Sequence, residues 1–275
     1  MNYRHAFHAG NFADLVKHAA LTRLLGRLLE DASPLTVVDT HAGAGLYDLG
    51  DENQARSKEA EAGVARLAER DLPPEFTGLA DAIRKRNRGR GVKSYPGSPA
   101  LIIDALREGD RYVACELRDE EHGDLSRLLG GATAKAEARQ ADGYATAVEV
   151  ARQTKGRLFV LIDPPFEAAD DYVRIVETVA AVLKAQPRAT VLVWLPIKDL
   201  ETLDAFVRRL ENAELTALIA EARMRPLDRP MRMNGCALAG LNLPSGFERE
   251  LEAISAFVVE ALGEPGGRAR VWTAG

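Results

Sequence analysis

Four consecutive residues of this 275-residue chain have the types and spacing to do chemistry: Asp163, Pro164, Pro165 and Phe166, which follow the apolar run Leu158-Phe159-Val160-Leu161-Ile162. Two successive prolines fix φ and remove two backbone donors, which leaves the Pro164 carbonyl free to face a substrate. That carbonyl and the Asp163 carboxylate make two acceptors for the two N–H bonds of an aromatic amine. Accepting both raises electron density on the nitrogen and favours its attack on a methyl group. Asp163 can also take up the proton lost on methylation, as general base or electrostatic stabiliser. Phe166 offers a flat face on which a base can stack. A base inside a duplex would not reach such a site, so an unpaired or flipped-out base is expected.

Upstream lie residues suited to a nucleoside-like cofactor. Asp39-Thr40-His41-Ala42-Gly43-Ala44-Gly45 ends an apolar run, and its glycines let the backbone turn tightly and approach a ligand. Glu116 ends the next run, where an acid can accept hydrogen bonds from ribose hydroxyls. Asp142-Gly143 supplies a carboxylate that could bond an adenine amine. No Gly-x-x-x-x-Gly-Lys-Ser/Thr motif is present, which argues against P-loop ATP hydrolysis. The two cysteines, Cys115 and Cys236, make neither a disulfide framework nor a zinc site, so no metal is expected.

The elements that must position these residues alternate in type. Leu21, Leu24, Leu25 and Leu28 mark one face of a helix from about Asp14 to Glu30. Strands are predicted at Leu35–Asp39, Tyr112–Glu116, Leu158–Ile162, Thr190–Leu195, Leu215–Glu221, Cys236–Leu243 and Arg270–Trp272. Helices are predicted at Ser98–Leu106, Glu120–Leu129, Tyr144–Thr154, Asp170–Ala185 and Phe247–Leu262. Near-continuous apolar strands between helices predict a single Rossmann-like α/β domain over 1–275 with a mostly parallel sheet. After the glycine loop such a fold reaches its next strand within roughly 20 residues, yet here the next begins near Tyr112. Residues 50–95 therefore read as a small helical insertion subdomain beside the active-site crevice.

The apolar fraction of 46% suits a globular domain, and no stretch approaches the ~20 apolar residues of a membrane span. With no apolar signal core at the N-terminus, a cytoplasmic location is expected. The net charge of −5 argues against indiscriminate polyanion binding. Two segments run against it: Arg84–Lys93, with six cations and no acid, and Arg223–Arg232, with four cations and one acid. Together they point to a phosphate-bearing partner.

Asp-Pro-Pro-Phe after a strand, with the glycine loop and strand-end acid, resembles the class I amino-methyltransferases acting on adenine N6. The block Tyr3-Arg4-His5-Ala6-Phe7-His8-Ala9-Gly10-Asn11-Phe12-Ala13-Asp14-Leu15-Val16-Lys17-His18, with Asp39–Gly45 and Tyr95-Pro96-Gly97-Ser98-Pro99, narrows the resemblance to the RlmJ family of 23S ribosomal RNA adenine-N6 methyltransferases. The likeness runs along essentially the whole chain. It implies a monomeric enzyme that uses S-adenosylmethionine on 23S ribosomal RNA, with no membrane partner. It further implies His18, His41, Ser98, Glu116, Asp142, Gly143 and Asp163 around the cofactor, Asp163 with Pro164 and Phe166 at the reacting amine, and Tyr3 near the substrate. Helical spacing alone would make His18 a structural histidine, three residues from both Leu15 and Leu21. Relatives commonly carry tyrosine at the Phe166 position; phenylalanine keeps the stacking face and loses the hydroxyl. Local chemistry leaves cytosine N4 open as a target. A protein glutamine amide fits less well, since such enzymes typically begin the tetrapeptide with Asn. A non-catalytic RNA-binding protein would not need the cofactor set.

Overall fold

A computed structural model describes residues 9–49, 61–66, 70–87, 91–227 and 233–275. Helix α1 (Phe12–Leu29) starts at Asn11, whose side chain accepts from the amides of Ala13 and Asp14, satisfying donors that a helix start leaves open. Then come β1 (Leu35–Asp39), β2 (Leu46–Asp48), a π-helical turn Glu61–Ala65, a 3-10 turn Pro74–Phe76, α2 (Thr77–Arg86), β3 (Ser94–Pro96), α3 (Ser98–Ala105) and β4 (Arg111–Cys115). They are followed by α4 (Asp119–Leu129), β5 (Lys135–Arg139), α5 (Gly143–Gln153), β6 (Arg157–Ile162), α6 (Asp171–Ala185), β7 (Thr190–Ile197) and α7 (Leu200–Asn212). The chain ends with β8 (Ala217–Arg223), β9 (Gly235–Leu241), α8 (Phe247–Leu262) and β10 (Arg268–Ala274).

Eight strands form one sheet in the order β10-β8-β9-β7-β6-β1-β4-β5, and β2 pairs with β3 in a separate ribbon. From β7 through β6, β1 and β4 to β5 every pairing is parallel. The antiparallel pairings join β9 to β7 and β8, and β10 to β8. One apolar core lies between the sheet and α1, α3 and α8; a second lies between the sheet and α5, α6 and α7. This is the doubly wound, Rossmann-like arrangement expected, with helices covering both faces because the parallel strands are apolar on both.

Four elements escaped the sequence reading: the short paired strands β2 and β3, strand β5 and helix α7. Strand β5 alternates charge with alanine, Lys135-Ala136-Glu137-Ala138-Arg139, and lies at the sheet edge. Its Glu137 accepts from Arg111 at 2.7 Å and from Arg139 at 2.9 Å, and charged edges discourage pairing with other chains. Helix α7 does carry a signal: Leu203, Phe206, Val207 and Leu210 recur at i, i+3, i+4 and i+7 and are buried. Between β2 and β3, Phe76 and Leu79 are buried in the core that also holds Leu15 and Leu21 of α1, and the Val64 amide donates to the Gly10 carbonyl at 2.9 Å. Among the described residues no helix is long and apolar enough to cross a membrane.

Candidate active site

Strand parity gathers the acids on one side. The residues of β1, β4 and β6 that pack beneath α1 are Leu35 and Val37, Tyr112 and Ala114, Phe159 and Leu161. Stepping two residues onward along each strand reaches Asp39, Glu116 and Asp163. Successive side chains alternate between faces, so all three start from the carboxyl ends of neighbouring strands on the α1 side.

Asp163 meets α1 directly. Its Oδ2 is 2.5 Å from Lys17 Nζ, and Lys17 also sits 3.0 Å from Asp14 Oδ1. The side chains of Lys17 and Asp14 are each 4% exposed and that of Asp163 15%. Burial alone would push the Lys17 ammonium down, but the Asp14 and Asp163 carboxylates outweigh it and hold Lys17 well above its usual value. Lys17 therefore stays cationic. The sequence reading missed it, because a lysine three residues after an aspartate reads as an ordinary helical ion pair, and nothing local ties it to a residue 146 positions away.

Next to this pair, Asp39 Oδ2 accepts from Ser98 Oγ at 2.7 Å and from the Tyr112 hydroxyl at 3.2 Å. Its Oδ1 is buried without a partner. Burial pushes the Asp39 carboxyl up to about 6, against the pull of Ser98. In the following loop Gly43 and Gly45 adopt left-handed φ values of 64° and 84°, a region glycine enters without steric cost. The Gly43 amide donates to Glu116 Oε2 at 3.0 Å, and the Arg118 amide to Oε1 at 2.9 Å. Beside Glu116, Leu117 is 62% exposed, an apolar surface at the same rim.

Asp142 caps α5 by accepting from the Ala145 amide at 3.0 Å and also binds Arg174. Its own burial pulls the other way, but the Ala145 amide and Arg174 hold its carboxyl below the usual range. Gly143 fits so closely that a Cβ there would lie 1.9 Å from the Thr40 carbonyl oxygen. His41 bonds Thr40 Oγ1 through Nδ1 at 2.8 Å and packs edge-on against Tyr144. Burial pushes its imidazole down to about 4, so it is neutral near pH 7. His18 is 1% exposed, with Nδ1 2.9 Å from the Tyr95 hydroxyl.

After Asp163, Pro164 is buried and Pro165 exposed. Phe166 takes a left-handed φ of 53°, a strained conformation for an aromatic residue. Its ring is held 4.9 Å from Tyr172 and 5.8 Å from Trp194, centroid to centroid. The structure thus joins Asp163, Lys17, Asp39 and Ser98 in one cluster, and Asp142, Gly143 and His41 in another beside the β1 loop. Tyr3 lies outside the described residues, as do Arg88, Arg90, Arg229 and Arg232.

The basic segments prove less free than their composition suggests. Lys85 and Arg86 both bind Asp104 of α3, at 2.8 and 2.6 Å. Arg223 is 6% exposed and donates to Glu221, so it offers no phosphate contact. A charged strand residue two positions from an acid of the same face finds its partner inside the sheet.

Comparison with known proteins bears on the whole of this geometry. Residues 32–274 match the family model described as "Ribosomal RNA large subunit methyltransferase D, RlmJ". Ribosomal RNA large subunit methyltransferase J of Escherichia coli is 30% identical over 256 residues, 92% of this chain and 91% of that protein. The protein of the same name from Haemophilus influenzae is 27% identical over 268 residues, 95% of this chain and 94% of its own length. A crystal structure of a Legionella pneumophila protein superposes with a TM-score of 0.88 at 28% identity, covering 97% of this chain and 98% of that one.

Proposed function

We propose, from the premise that this chain belongs to the RlmJ family of large-subunit ribosomal RNA methyltransferases, that it methylates the N6 amine of an adenine in 23S ribosomal RNA with S-adenosylmethionine as donor. The observation that carries the reading is the Asp163–Lys17 pair at the head of the rigid Pro164-Pro165 segment. Lys17 engages Oδ2 of Asp163, which leaves Oδ1 as acceptor for one N–H of the amine. The Pro164 carbonyl serves the other. Phe166 supports the base, which enters unpaired or flipped out, and Tyr3 approaches it from the N-terminal block.

The residues present suit the donor. Glu116 and Asp142 offer carboxylates for the ribose hydroxyls and the adenine amine, with Leu117 as an apolar surface between strand ends. Ser98, His41, His18 and Gly143 complete the shell, and the unpartnered Asp39 Oδ1 marks a buried acceptor in the same cluster. When bound, S-adenosylmethionine supplies an electrophilic methyl group. Residues 50–95 are proposed as the insertion that meets RNA, through Arg84, whose ion pair with Asp81 is exposed to solvent, and the neighbouring Arg88 and Arg90; Lys85 and Arg86 are tied to Asp104. The enzyme is proposed to act as a cytoplasmic monomer.

Methyl transfer from labelled donor to protein-free ribosomal RNA, taken from cells lacking the gene, tests the reading. Label is expected in N6-methyladenine; label in N4-methylcytosine or protein, or none, refutes it. Asp163→Ala is expected to keep donor affinity and lose turnover.

A further inference from the structure

Of the eight residues of β7 only Trp194 is not fully buried. The β6–β7 ladder pairs Leu161 with Leu192 and Ile162 with Val193. Continuing that register one residue past its last pair aligns Trp194 with Asp163, and aligned positions project to the same face. Packing agrees: Leu161, Leu192 and Trp194 all belong to the core beneath α1. The indole centroid is 5.8 Å from that of Phe166, with the rings tilted by 60°. Its N–H is turned inward without an oxygen acceptor, toward the Cys236 thiol, which also feels the charges of Lys17, Asp14 and Asp163. The indole therefore packs against Phe166 on the strand next to the one that leads into Asp163, with carbon rather than nitrogen at its open part.

We infer that Trp194 is a second base-contacting residue, forming with Phe166 an aromatic corner that receives the substrate base. The inference rests on the methyltransferase reading above. One stacking ring fixes the plane of a base but lets it slide; a second ring at a steep tilt stops the slide and fixes an edge. Methyl transfer needs that constraint, because both N–H bonds must meet Asp163 and Pro164 together, and small misplacement is costly to rate. A purely structural role accounts poorly for this side chain. The N–H is served on the inside by the Cys236 thiol, yet the ring stays partly open at the one position of β7 that is not buried, where the neighbouring positions fill the core with leucine and valine.

The chain has two tryptophans. Trp272→Phe, on β10 and remote from Asp163 in sheet order, leaves Trp194 as the only indole emitter. Titration of this variant with adenosine 5′-monophosphate, with S-adenosylhomocysteine saturating the donor pocket, is expected to quench Trp194 emission saturably. Trp194→Ala is expected to lower kcat/KM for ribosomal RNA about ten- to hundredfold, the loss typical of removing a base-stacking ring, while Trp194→Phe stays within a few-fold of wild type. If Trp194→Ala fails to fold, as judged by circular dichroism, the quenching titration decides. No quenching, or a folded Trp194→Ala enzyme with wild-type kcat/KM, overturns the inference even where the wild type methylates adenine. A wild type that transfers no methyl to adenine instead overturns the functional reading on which it rests.

Discussion

Replacing Lys17 with methionine tests the centre of the site. The side chain of Lys17 is 4% exposed and faces Asp14, also 4% exposed, and Asp163, 15% exposed. Solvent can therefore do little to replace its charge. Removing it leaves two carboxylates close together without a cation, and breaking a buried ion pair from one side costs about 3–5 kcal/mol. At about 2–4 °C per kcal/mol for a domain near this size, the melting temperature falls by about 6–20 °C. Adding Asp163→Asn to Lys17→Met removes one of the two stranded charges and recovers part of the stability. A double-mutant cycle from calorimetric melts should then return a coupling of about 0.5–3 kcal/mol. All three variants should be catalytically impaired, so stability and activity separate in the double variant. If Lys17→Met melts within about 1 kcal/mol of wild type, or turns over at the wild-type rate, the charged pair is not what organises Asp163.

Other outcomes follow from single contacts. Asp39 is raised to about 6 from an ordinary 3.8, so the folded state binds the proton more tightly. Stability from this group falls as pH rises from about 4 to 6, and the full cost of about 3 kcal/mol applies above that window. Asp39→Asn should therefore gain in melting temperature relative to wild type as pH rises through it; a pH-independent difference would contradict the burial argument. Gly143→Ala should cut donor affinity at least about tenfold and lower the melting temperature, since its Cβ would lie 1.9 Å from backbone oxygen of Thr40. Gly26→Ala is the control, with nothing within 4 Å of the added carbon in the exposed face of α1, and should stabilise by up to about 1 kcal/mol.

The fold was largely legible because apolar runs separated by helical periodicity leave few other arrangements. The acids Asp39, Glu116 and Asp163 could be located from strand ends alone, since strand parity decides their side of the sheet. What could not be read was partnership across the sequence. Lys17 reaches Asp163 only because α1 packs across the ends of β1 and β6. Trp194 reaches Phe166 only through the register of β7 against β6. Strand β5 was hidden for a different reason: an edge strand is selected for charge, which erases the apolar signal. The basic segments misled in the opposite direction, because composition counts Arg86 and Arg223 as free, whereas Asp104 and Glu221 already hold them.

On the proposed reaction, the Lys17 contact also bears on what Asp163 does. One oxygen of the Asp163 carboxylate is already engaged, 2.5 Å from an ammonium. The amine does not need a strong base. Once the new C–N bond forms, the nitrogen carries a positive charge and becomes strongly acidic, so its proton leaves readily to a weak acceptor or water. The demanding moment comes earlier, when the lone pair must be drawn out of the aromatic ring by hydrogen bonds to both N–H groups. This ordering makes Asp163 principally an acceptor that orients and polarises. Asp163→Asn keeps a carbonyl acceptor at that position and should retain measurably more kcat than Asp163→Ala, with donor affinity similar in both. Single-turnover rates on the same ribosomal RNA measure the difference. Equal inactivity of the two variants would mean that the carboxylate's proton affinity matters after all, and that Lys17 must move away before the methyl group is transferred.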